Sequence, residues 1–515
     1  MIISNFKTYM LVGLISVSTI WAKRPLVDHK KLNIDNQSQS ASQAKIELPV
    51  TKVVLDNGLK ILLVTNKQSP TVACRLFFTT GSVHEHAGNS GIAHMLEHML
   101  FKGTKKLGVK DSIADLKFMT QTDSLWVEIR MATDKGDSLK RVELKKRADS
   151  VLTEHRKVIV KDELWETYTK EGGTGLNAFT TDLMTAYFVT LPKNKVELYL
   201  WLEADRMQNA ILREFYPERD VVREERRMRY DDAPEGRYFE SLSATFYEGH
   251  PYRVPTIGWP SDIMRLTREQ AAEHYRKYYK PNNAILVLAG DIDTQKALDL
   301  IKIYFGNIPR GEDFSPITFE EPAQIGPKTL TQFKDEAKPR MDIQFHTPGF
   351  PNKDLYALDV LEGVLNGKSG RLYKRLVEKE KIAISASAGN AANKYTSSFD
   401  LSISLTQPVQ VKKAEKLIWN EIKSLQETPI KPSELQKVKN QSVANLARSL
   451  EDSENLATQI AFYELYGDWK MLQEWPNHIS EVTAEDVMRV AQKYLILENS
   501  TTGKLLPKSK IKDND

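Results

Sequence analysis

A chain of 515 residues is too long for one ordinary hydrophobic core and predicts about two to four domains. Its 72 basic and 68 acidic residues nearly balance, which argues against a dedicated nucleic-acid-binding protein because such a protein carries a basic face. The single cysteine, Cys74, excludes an internal disulfide and a cysteine-based zinc site, so any metal must be held by histidines and carboxylates.

The first residues have the layout of a secretory signal peptide. A short cationic start is followed by an apolar run, Met10 to Ile20, which is too short to span a membrane comfortably. Cleavage after Ala22 would leave a polar, flexible lead-in over residues 23–45. We therefore predict a signal peptide over residues 1–22 and export, to a bacterial periplasm, with membrane anchoring as the alternative if the signal is not cleaved.

Folded structure is predicted from residue 46 onwards. The turn sequence Asp56-Asn57-Gly58 lies between two β-rich runs and predicts a hairpin. Further elements are predicted in chain order: a strand over 72–80, a helix over 91–101, a charged helical stretch over 105–170, a strand over 177–190, helices over 195–213 and 218–230, a buried strand over 283–290 and a helix over 295–305.

Residues 311–327 contain three prolines and predict a linker. The pattern of strands and helices then recurs over residues 328–500, before a polar tail over 501–515, so the fold class is α+β. A helix predicted over 355–378, with a break near Gly367 and Gly370, aligns with the helix over 91–101. Asp359, Glu362 and Gly363 align with His94, Glu97 and His98. This recurrence favours two homologous halves, of which only the first keeps ligand-type side chains; the alternative is coincidence between amphipathic helices.

The sequence His94-Met-Leu-Glu97-His98 carries the strongest chemical signal. On a helix, His94 and His98 lie one turn apart on one face and can present two imidazoles to one metal ion. Glu97 borders that face and can act as a general base without being a ligand. A catalytic zinc site has three protein ligands and one open position for water, so a third ligand must come from elsewhere in the fold. The alternative is a pair of surface or capping histidines.

Further motifs follow in a specific order: HMLEHMLFKGT, GGTGLNAFT, ERDVVREERRM, HPY, IGWP and YYKPNNAILVLAGDID. With them the sequence resembles the pitrilysin or insulinase family of zinc metallopeptidases, also called M16, over residues 55–309 and more weakly over 329–495. The resemblance implies an α+β fold of two homologous M16-type domains like those of the mitochondrial processing peptidase. The zinc-bearing domain would span residues 46–310 and the inactive domain residues 328–500.

The resemblance implies a role for each matched residue. His94 and His98 match the histidine ligands of one zinc ion per chain, and Glu97 matches the general base. Glu225 matches the third ligand and Glu218 a supporting acid. Glu224 is the competing third ligand, but seven residues make two helical turns, which puts Glu218 and Glu225 on one face and rotates Glu224 by about 100°.

The stretch Asn177, Ala178, Phe179 and Thr180 matches the family's edge strand. In the family an extended substrate adds to that strand, so main-chain hydrogen bonds bind peptides with little sequence preference. The implied activity is a zinc-dependent endopeptidase that acts on peptides or unfolded polypeptide segments.

The sequence departs from the family pattern in two ways. His98 and Glu225 are 127 positions apart, more than in typical members, and the excess corresponds to residues 105–170, which we interpret as an inserted helical hairpin. In addition, Val377 and Ile384 stand where many members carry a substrate-binding Arg and Tyr. Three hypotheses therefore stand: an active peptidase, a zinc-bearing subunit of a heteromeric M16 peptidase that needs a partner chain, and a non-catalytic assembly protein of the same fold. The expected partners are a peptide or unfolded protein substrate and, in an assembly, a second copy (a homodimer) or a second M16-like chain (a heterodimer).

Overall fold

The computed structural model describes residues 47–314 and 317–508. The predicted signal peptide, residues 1–22, and the predicted lead-in, residues 23–45, lie outside the described residues. Within the described ranges, the structure contains no helix with the length and apolar character needed to cross a membrane.

The described chain contains eleven strands and sixteen α-helices. The strands are β1 Val50–Val54, β2 Lys60–Thr65, β3 Thr71–Phe78, β4 Thr174–Thr180, β5 Thr185–Pro192, β6 Ala284–Gly290, β7 Lys328–Lys334, β8 Arg340–Pro348, β9 Ala383–Asn390, β10 Thr396–Leu405 and β11 Ser500–Pro507. The helices are α1 Ile92–Met99, α2 Ser112–Asp134, α3 Ser138–His155, α4 Glu163–Lys170, α5 Val196–Asn209, α6 Phe215–Arg226, α7 Pro234–Phe246, α8 Pro260–Arg265, α9 Arg268–Tyr278, α10 Thr294–Phe305, α11 Asp354–Leu365, α12 Val411–Glu427, α13 Pro432–Glu451, α14 Ser453–Tyr466, α15 Lys470–Glu481 and α16 Ala484–Tyr494.

These elements form two compact units. The N-terminal unit contains residues 48–322 together with 448–469, and the C-terminal unit contains residues 323–447 and the chain from Lys470 onwards. Each unit combines one sheet with flanking helices, which confirms the α+β class. The prediction that residues 328–500 all belong to the second domain is wrong for residues 448–469, which include α14.

The N-terminal sheet has the strand order β1-β2-β6-β3-β5-β4. The predicted hairpin of β1 and β2 is confirmed, with Val50 opposite Val64. Gly58 in its turn has φ +89°, and an added Cβ would lie 2.7 Å from the Cβ of Asn282, so glycine fits this turn on both counts. The buried strand β6 lies between β2 and β3.

Both faces of this sheet are covered. Alternate residues of β3, including Leu76 and Phe78, pack in the same hydrophobic core as α1. Arg75, one residue before Leu76, points to the opposite face, and its guanidinium lies 3.2 Å from the carboxylate of Glu454 on α14. Phe462 of α14 stacks on Phe179, with ring centroids 6.3 Å apart. A strand between two packed layers is buried along its whole length, which explains the continuous apolar sequence of β6.

The prediction of a single strand over residues 177–190 is wrong, because the structure has two antiparallel strands, β4 and β5, joined by a tight turn. The hydroxyl of Thr181 accepts hydrogen bonds from the backbone N–H groups of Leu183 and Met184, both at 3.2 Å. A side chain of this kind can replace a glycine or proline turn signal. The chain therefore reverses direction here without the glycine or proline that would have predicted a turn from the sequence.

The C-terminal sheet has the strand order β7-β11-β8-β10-β9. The polar tail predicted over residues 501–515 is wrong for residues 501–507, because β11 pairs in parallel with β7 and antiparallel with β8. Thr501 and Thr502 are buried between these neighbours although their side chains are polar. The break predicted near Gly367 and Gly370 is confirmed, because α11 ends at Leu365 and a separate π-helical segment follows over Tyr373–Lys379.

Candidate metal centre

Helix α1 presents His94 and His98 one turn apart, with ring centroids 4.9 Å apart. Its cap residue, Gly91, offers no side chain, and the carboxylate of Glu85 accepts hydrogen bonds from the N–H groups of Gly91 at 2.8 Å and Ala93 at 2.9 Å. Glu85 therefore caps the helix from a preceding loop and satisfies two of its free donors. This contact fixes the start of the helix at Ile92, two residues before His94.

Helix α6 brings Glu225 to the same place. Nε2 of His98 lies 3.3 Å from Oε2 of Glu225, and Nε2 of His94 lies 3.7 Å from Oε1. Within the described ranges this is the one trio of histidine, cysteine or acidic side chains close enough to hold a metal ion, with ligand atoms within 4.8 Å of one another. Glu224, by contrast, is exposed and pairs with Arg227. The geometry therefore favours Glu225 over Glu224.

Glu218 lies two turns before Glu225 on the same helix. Its Oε1 lies 2.9 Å from Nδ1 of His98, and its Oε2 lies 2.6 Å from Nζ of Lys102. Because Nδ1 donates its hydrogen to Glu218, the lone pair of the neutral ring is on Nε2, which faces Glu225. Partners of this kind orient histidine ligands in metal sites.

Charges at the trio suit a bound cation. Burial and the neighbouring His98 lower the pKa of His94 to about 3, so His94 is neutral. Burial alone would raise the pKa of Glu225, but its contacts with His98 and His94 outweigh burial and lower that pKa to about 2. Burial also lowers the pKa of His98, yet hydrogen bonds with Glu218 and Glu225 raise it to about 10. The site thus favours a positive charge between His98 and its two carboxylates.

Two histidine nitrogens and one carboxylate are the protein ligands of a catalytic zinc ion, whose fourth position is taken by water. A neutral His94 and an ionised Glu225 are in the protonation states that metal ligands need, whereas His98, with its raised pKa, would release the proton on Nε2 when a metal ion binds. The residues present therefore fit a zinc ion.

Glu97 points beside the trio and is half-buried. Burial raises its pKa, an effect that His98 and a hydrogen bond from Thr180 oppose in part. The hydroxyl of Thr180 donates that bond to Oε2 of Glu97 at 2.7 Å. A carboxylate with a raised pKa, held in a fixed direction, is suited to accept a proton.

Strand β4 is the last strand of its sheet, as the sequence predicted for residues 177–180. Thr180 reaches Glu97, whereas the side chain of Phe179 packs against Phe77, Phe188 and Phe462. Asn177 is exposed, and Ala178 is buried. The structure thus brings one of the four predicted substrate residues to the proposed base, while Asn177, Ala178 and Phe179 offer their backbone along the edge.

Comparison with models of protein families and comparison with individual proteins give the same family. The model described as Insulinase (Peptidase family M16) matches residues 60–117 and 155–258, and the model described as Peptidase M16 inactive domain matches residues 265–442. The zinc protease PqqE of Helicobacter pylori is 30% identical over 88% of this chain and 92% of its own. The chain belongs to peptidase family M16.

Other relatives agree with this assignment. An uncharacterized zinc protease of Bacillus subtilis, YmxG, is 25% identical over 86% of this chain and 95% of its own. A crystal structure of a protease from Helicobacter pylori matches with a TM-score of 0.76 and 28% identity, and covers 90% of this chain and all of that one. The cytochrome b-c1 complex subunit 1 of Rattus norvegicus is also 26% identical over 88% of this chain and 85% of its own, so similarity to the family does not by itself establish peptidase activity.

Both expected M16 domains are therefore present, one matched by the family's peptidase model and one by its inactive-domain model. In the second domain, α11 carries Asp359 and Glu362, which align with His94 and Glu97 of the zinc motif. Asp359 accepts hydrogen bonds from Asn390 at 2.8 Å and Trp475 at 3.0 Å, and Glu362 accepts one from the backbone of Asn390 at 3.1 Å. Polar partners inside the unit thus satisfy both carboxylates.

The position that corresponds to His98 in the second domain is Gly363, and it has no room for a larger residue. An added Cβ there would lie 2.4 Å from Cγ1 of Val438 on α13. Of the two residues at the family's Arg and Tyr positions, Val377 packs against the core of the C-terminal unit, and Ile384 is 62% exposed.

Three contacts that hold the M16 site together were not predicted from the sequence. Arg226, next to Glu225, donates to the carbonyl oxygen of Gly258 at 2.8 Å, and an added Cβ on Gly258 would meet the carbonyl of Ser90 at 2.4 Å. The IGWP motif therefore lies between α6 and the start of α1. Arg229 pairs with Glu225 from the next helical turn. Among these contacts, only the spacing of four residues between Glu225 and Arg229 is a signal in the sequence.

A buried arginine fixes the start of α6. Arg213 donates to Asp115 of α2 at 2.9 Å and to the carbonyl oxygen of Lys102, just after α1, at 2.7 Å. Asp115 in turn lies 2.7 Å from Nε2 of His155, at the end of α3. The same network therefore contacts α2, α3, α6 and the segment after α1. A cavity of about 190 Å³ lies beside it, between the hairpin of α2 and α3 and the start of α6, and none of the three candidate ligands lines it.

Proposed function

We propose that the chain is a zinc-dependent endopeptidase that hydrolyses peptides or unfolded polypeptide segments. The observation that supports this most directly is the meeting of His94, His98 and Glu225 from two helices, beside Glu97. The relatives named zinc proteases support the same class of activity.

One zinc ion per chain would be held by Nε2 of His94, Nε2 of His98 and the carboxylate of Glu225. When bound, zinc lowers the pKa of a water molecule and polarises the substrate carbonyl. Glu218 keeps the ring of His98 in its ligand orientation through Nδ1.

Glu97 acts as the general base and accepts a proton at Oε1 from the attacking water. The other oxygen, Oε2, already accepts the hydrogen bond from Thr180, so the free oxygen is left for water. Glu97 then passes the proton to the amine that leaves when the peptide bond breaks. The raised pKa of Glu97 suits both steps, because a group that binds its proton weakly is a poor acceptor.

The substrate binds in extended form along β4, residues 174–180, with Asn177 to Thr180 nearest the site. Main-chain hydrogen bonds to a sheet edge bind many sequences, which fits a peptidase for unfolded segments. Thr180 belongs to this strand and also contacts Glu97, so a peptide on the edge lies next to the base.

A second candidate is a zinc-bearing subunit of a heteromeric M16 peptidase, which needs another M16-like chain as its partner. Val377 and Ile384 favour it, because neither side chain can replace the substrate-binding Arg and Tyr of many family members. A non-catalytic assembly role ranks last, since all three zinc ligands and Glu97 are present. Export to a periplasm remains our proposal from the apolar run Met10 to Ile20.

The test uses the purified chain alone. Zinc is measured by atomic emission, and cleavage of a mixed quenched-peptide library is followed with and without a chelator. We expect about one zinc per chain and cleavage that stops with chelator and returns with added zinc. Bound zinc without cleavage, restored by a co-purified M16-like chain, would support the subunit hypothesis. A chain that binds no zinc would contradict both.

A further inference from the structure

The two acidic residues of α6 at the candidate metal centre share one arrangement. In Glu218, Oε1 lies 2.9 Å from Nδ1 of His98, while Oε2 lies 2.6 Å from Nζ of Lys102. In Glu225, Oε2 lies 3.3 Å from Nε2 of His98, while Oε1 pairs with the guanidinium of Arg229. Each carboxylate thus turns one oxygen towards His98, and a basic side chain holds its other oxygen.

The pair of Arg229 and Glu225 makes the two oxygens of this candidate ligand unequal. A carboxylate can bind a metal ion through one oxygen or through both. The guanidinium on Oε1 uses the same lone-pair electrons that a metal ion would use, so Oε1 is the weaker ligand and Oε2 the stronger. The shorter histidine contact is also made by Oε2, because Nε2 of His94 lies 3.7 Å from Oε1.

Arg229 lies in a π-helical segment, Arg227–Asp231, that directly follows α6. The N–H group of Asp232 donates to the carbonyl oxygen of Arg227 at 2.8 Å, which is the bond between residues i and i+5 of such a turn. The turn holds one residue more than an α-helical turn, and this changes the direction in which the side chain of Arg229 points. Turns of this kind are rare and are frequent at functional sites.

Helix α7 holds the backbone of this segment. An added Cβ on Gly236 would lie 2.1 Å from the carbonyl oxygen of Arg229, so the close approach of α7 requires glycine. Arg226, the last residue of α6, donates to the carboxylate of Glu240 on α7 at 2.6 Å. These two contacts fix the segment between α6 and α7, and Arg229 therefore meets Glu225 from a fixed backbone.

We propose that Arg229 is a positioning residue that holds Oε1 of Glu225 and leaves Oε2 as the one oxygen offered to the metal ion. This inference rests on the proposed zinc site. With two histidine nitrogens and one carboxylate oxygen, the protein supplies three ligand atoms, and the fourth position stays open for water. A carboxylate that bound through both oxygens would compete with that water. Arg229 thus keeps the site in the form that hydrolysis needs.

Cobalt(II) in place of zinc tests this on the full chain, because cobalt absorbs visible light strongly in a four-coordinate site and much more weakly when further ligands bind. Arg229→Met removes the donor and keeps a long side chain at a position that is 31% exposed, so the fold should tolerate it. We expect the cobalt-loaded variant to absorb several-fold less than the cobalt-loaded wild type. Arg227→Met, at an exposed position of the same π-helical segment, is the matched control and should keep the wild-type spectrum.

A second measurement separates this role from general damage to the site. The loss of one positive charge acts equally on manganese(II) and zinc, because both ions are divalent, and it leaves the ratio of their dissociation constants unchanged. Manganese favours oxygen ligands more than zinc does, so a second free oxygen should shift that ratio several-fold towards manganese in Arg229→Met. An unchanged spectrum or an unchanged ratio, in a variant that still binds cobalt, would overturn this inference alone. A wild-type chain that binds neither cobalt nor zinc would overturn the proposed function as well.

Discussion

Nδ1 of His98 lies 2.9 Å from Oε1 of Glu218, which places a carboxylate behind a proposed metal ligand rather than on the metal. Because both Glu218 and Glu225 belong to α6, one helix supplies a ligand and the support for another ligand. The relationship gives Glu218 a role that can be separated from those of the three ligands.

We expect Glu218→Ala to weaken zinc binding about 10- to 100-fold, because His98 loses the partner that fixes its tautomer and ring orientation. Competition with a chelator of known affinity measures this directly. Glu224→Ala, on the exposed side of the same helix, is the matched control and should bind zinc like the wild type. Equal losses for the two variants would show that α6 as a whole, rather than Glu218, controls affinity.

Glu97→Gln should keep zinc and lose cleavage by at least about 100-fold, since the amide cannot accept the proton of the attacking water. The measurements are zinc content and kcat on one cleaved peptide. Glu97 lies outside the metal trio, so metal content should stay near one per chain. A variant that cleaves at the wild-type rate would remove Glu97 from the mechanism.

Thr180→Val should lower kcat several-fold with little change in zinc content, because Glu97 loses the hydrogen bond that directs one of its oxygens. The same bond lowers the pKa of Glu97, so its loss should move the acidic limb of the kcat profile to higher pH. Thr180→Ser keeps the hydroxyl and should behave like the wild type. A valine variant with an unchanged pH profile would show that Thr180 serves the strand alone.

The sequence was sufficient to predict the metal trio because its signals are local. A helix repeat places His98 four residues after His94, and the same repeat favours Glu225 over Glu224. The motif order supplied the link between the two helices. Helix spacing and side-chain chemistry are enough to predict the pair of His94 and His98, whereas the choice of α6 as the source of the third ligand rests on the resemblance to the M16 family.

Other parts of the fold depend on contacts between distant segments. Glu85 caps α1, and Gly258 lies against Ser90, but the local sequence predicts neither contact. β11 is buried although it begins with three polar residues, Ser500 to Thr502, because it pairs with a strand on each side. Helix α14 lies in the second half of the chain and still packs on the first sheet through Glu454. Sequence order alone does not give these pairings.

Asp115→Ala should destabilise the N-terminal unit by about 3–5 kcal/mol, because Arg213 would remain buried without its carboxylate partner. Urea unfolding followed by circular dichroism measures the change. Glu154→Ala removes the exposed pair with Lys157 at the end of the same hairpin and should cost less than about 1 kcal/mol. Similar costs for the two variants would mean that the buried network contributes no more than a surface pair.

The buried carboxyls of the second domain should make the protein less stable as the pH rises. Burial raises the pKa of Asp359 to about 6 and that of Glu362 to about 8, whereas such groups titrate near 4 in an unfolded chain. Between these values the folded protein holds protons that the unfolded chain has released, so the free energy of unfolding falls with pH. The contribution of these two carboxyls to the free energy of unfolding is fully present below about pH 4 and is lost as the pH rises through about 6 to 8.

Glu362→Gln replaces the carboxyl with a neutral amide of the same shape. Between pH 5 and pH 9 the free energy of unfolding of this variant should therefore fall by about 4 kcal/mol less than that of the wild type. Urea midpoints at the two pH values measure the difference. Glu485→Gln, an exposed acid of α16 in the same unit, is the control and should follow the wild-type pH dependence. If the Glu362 variant also followed it, Glu362 would be ionised in the folded protein, and its hydrogen bonds with Asn390 and Asn366 would outweigh the effect of burial.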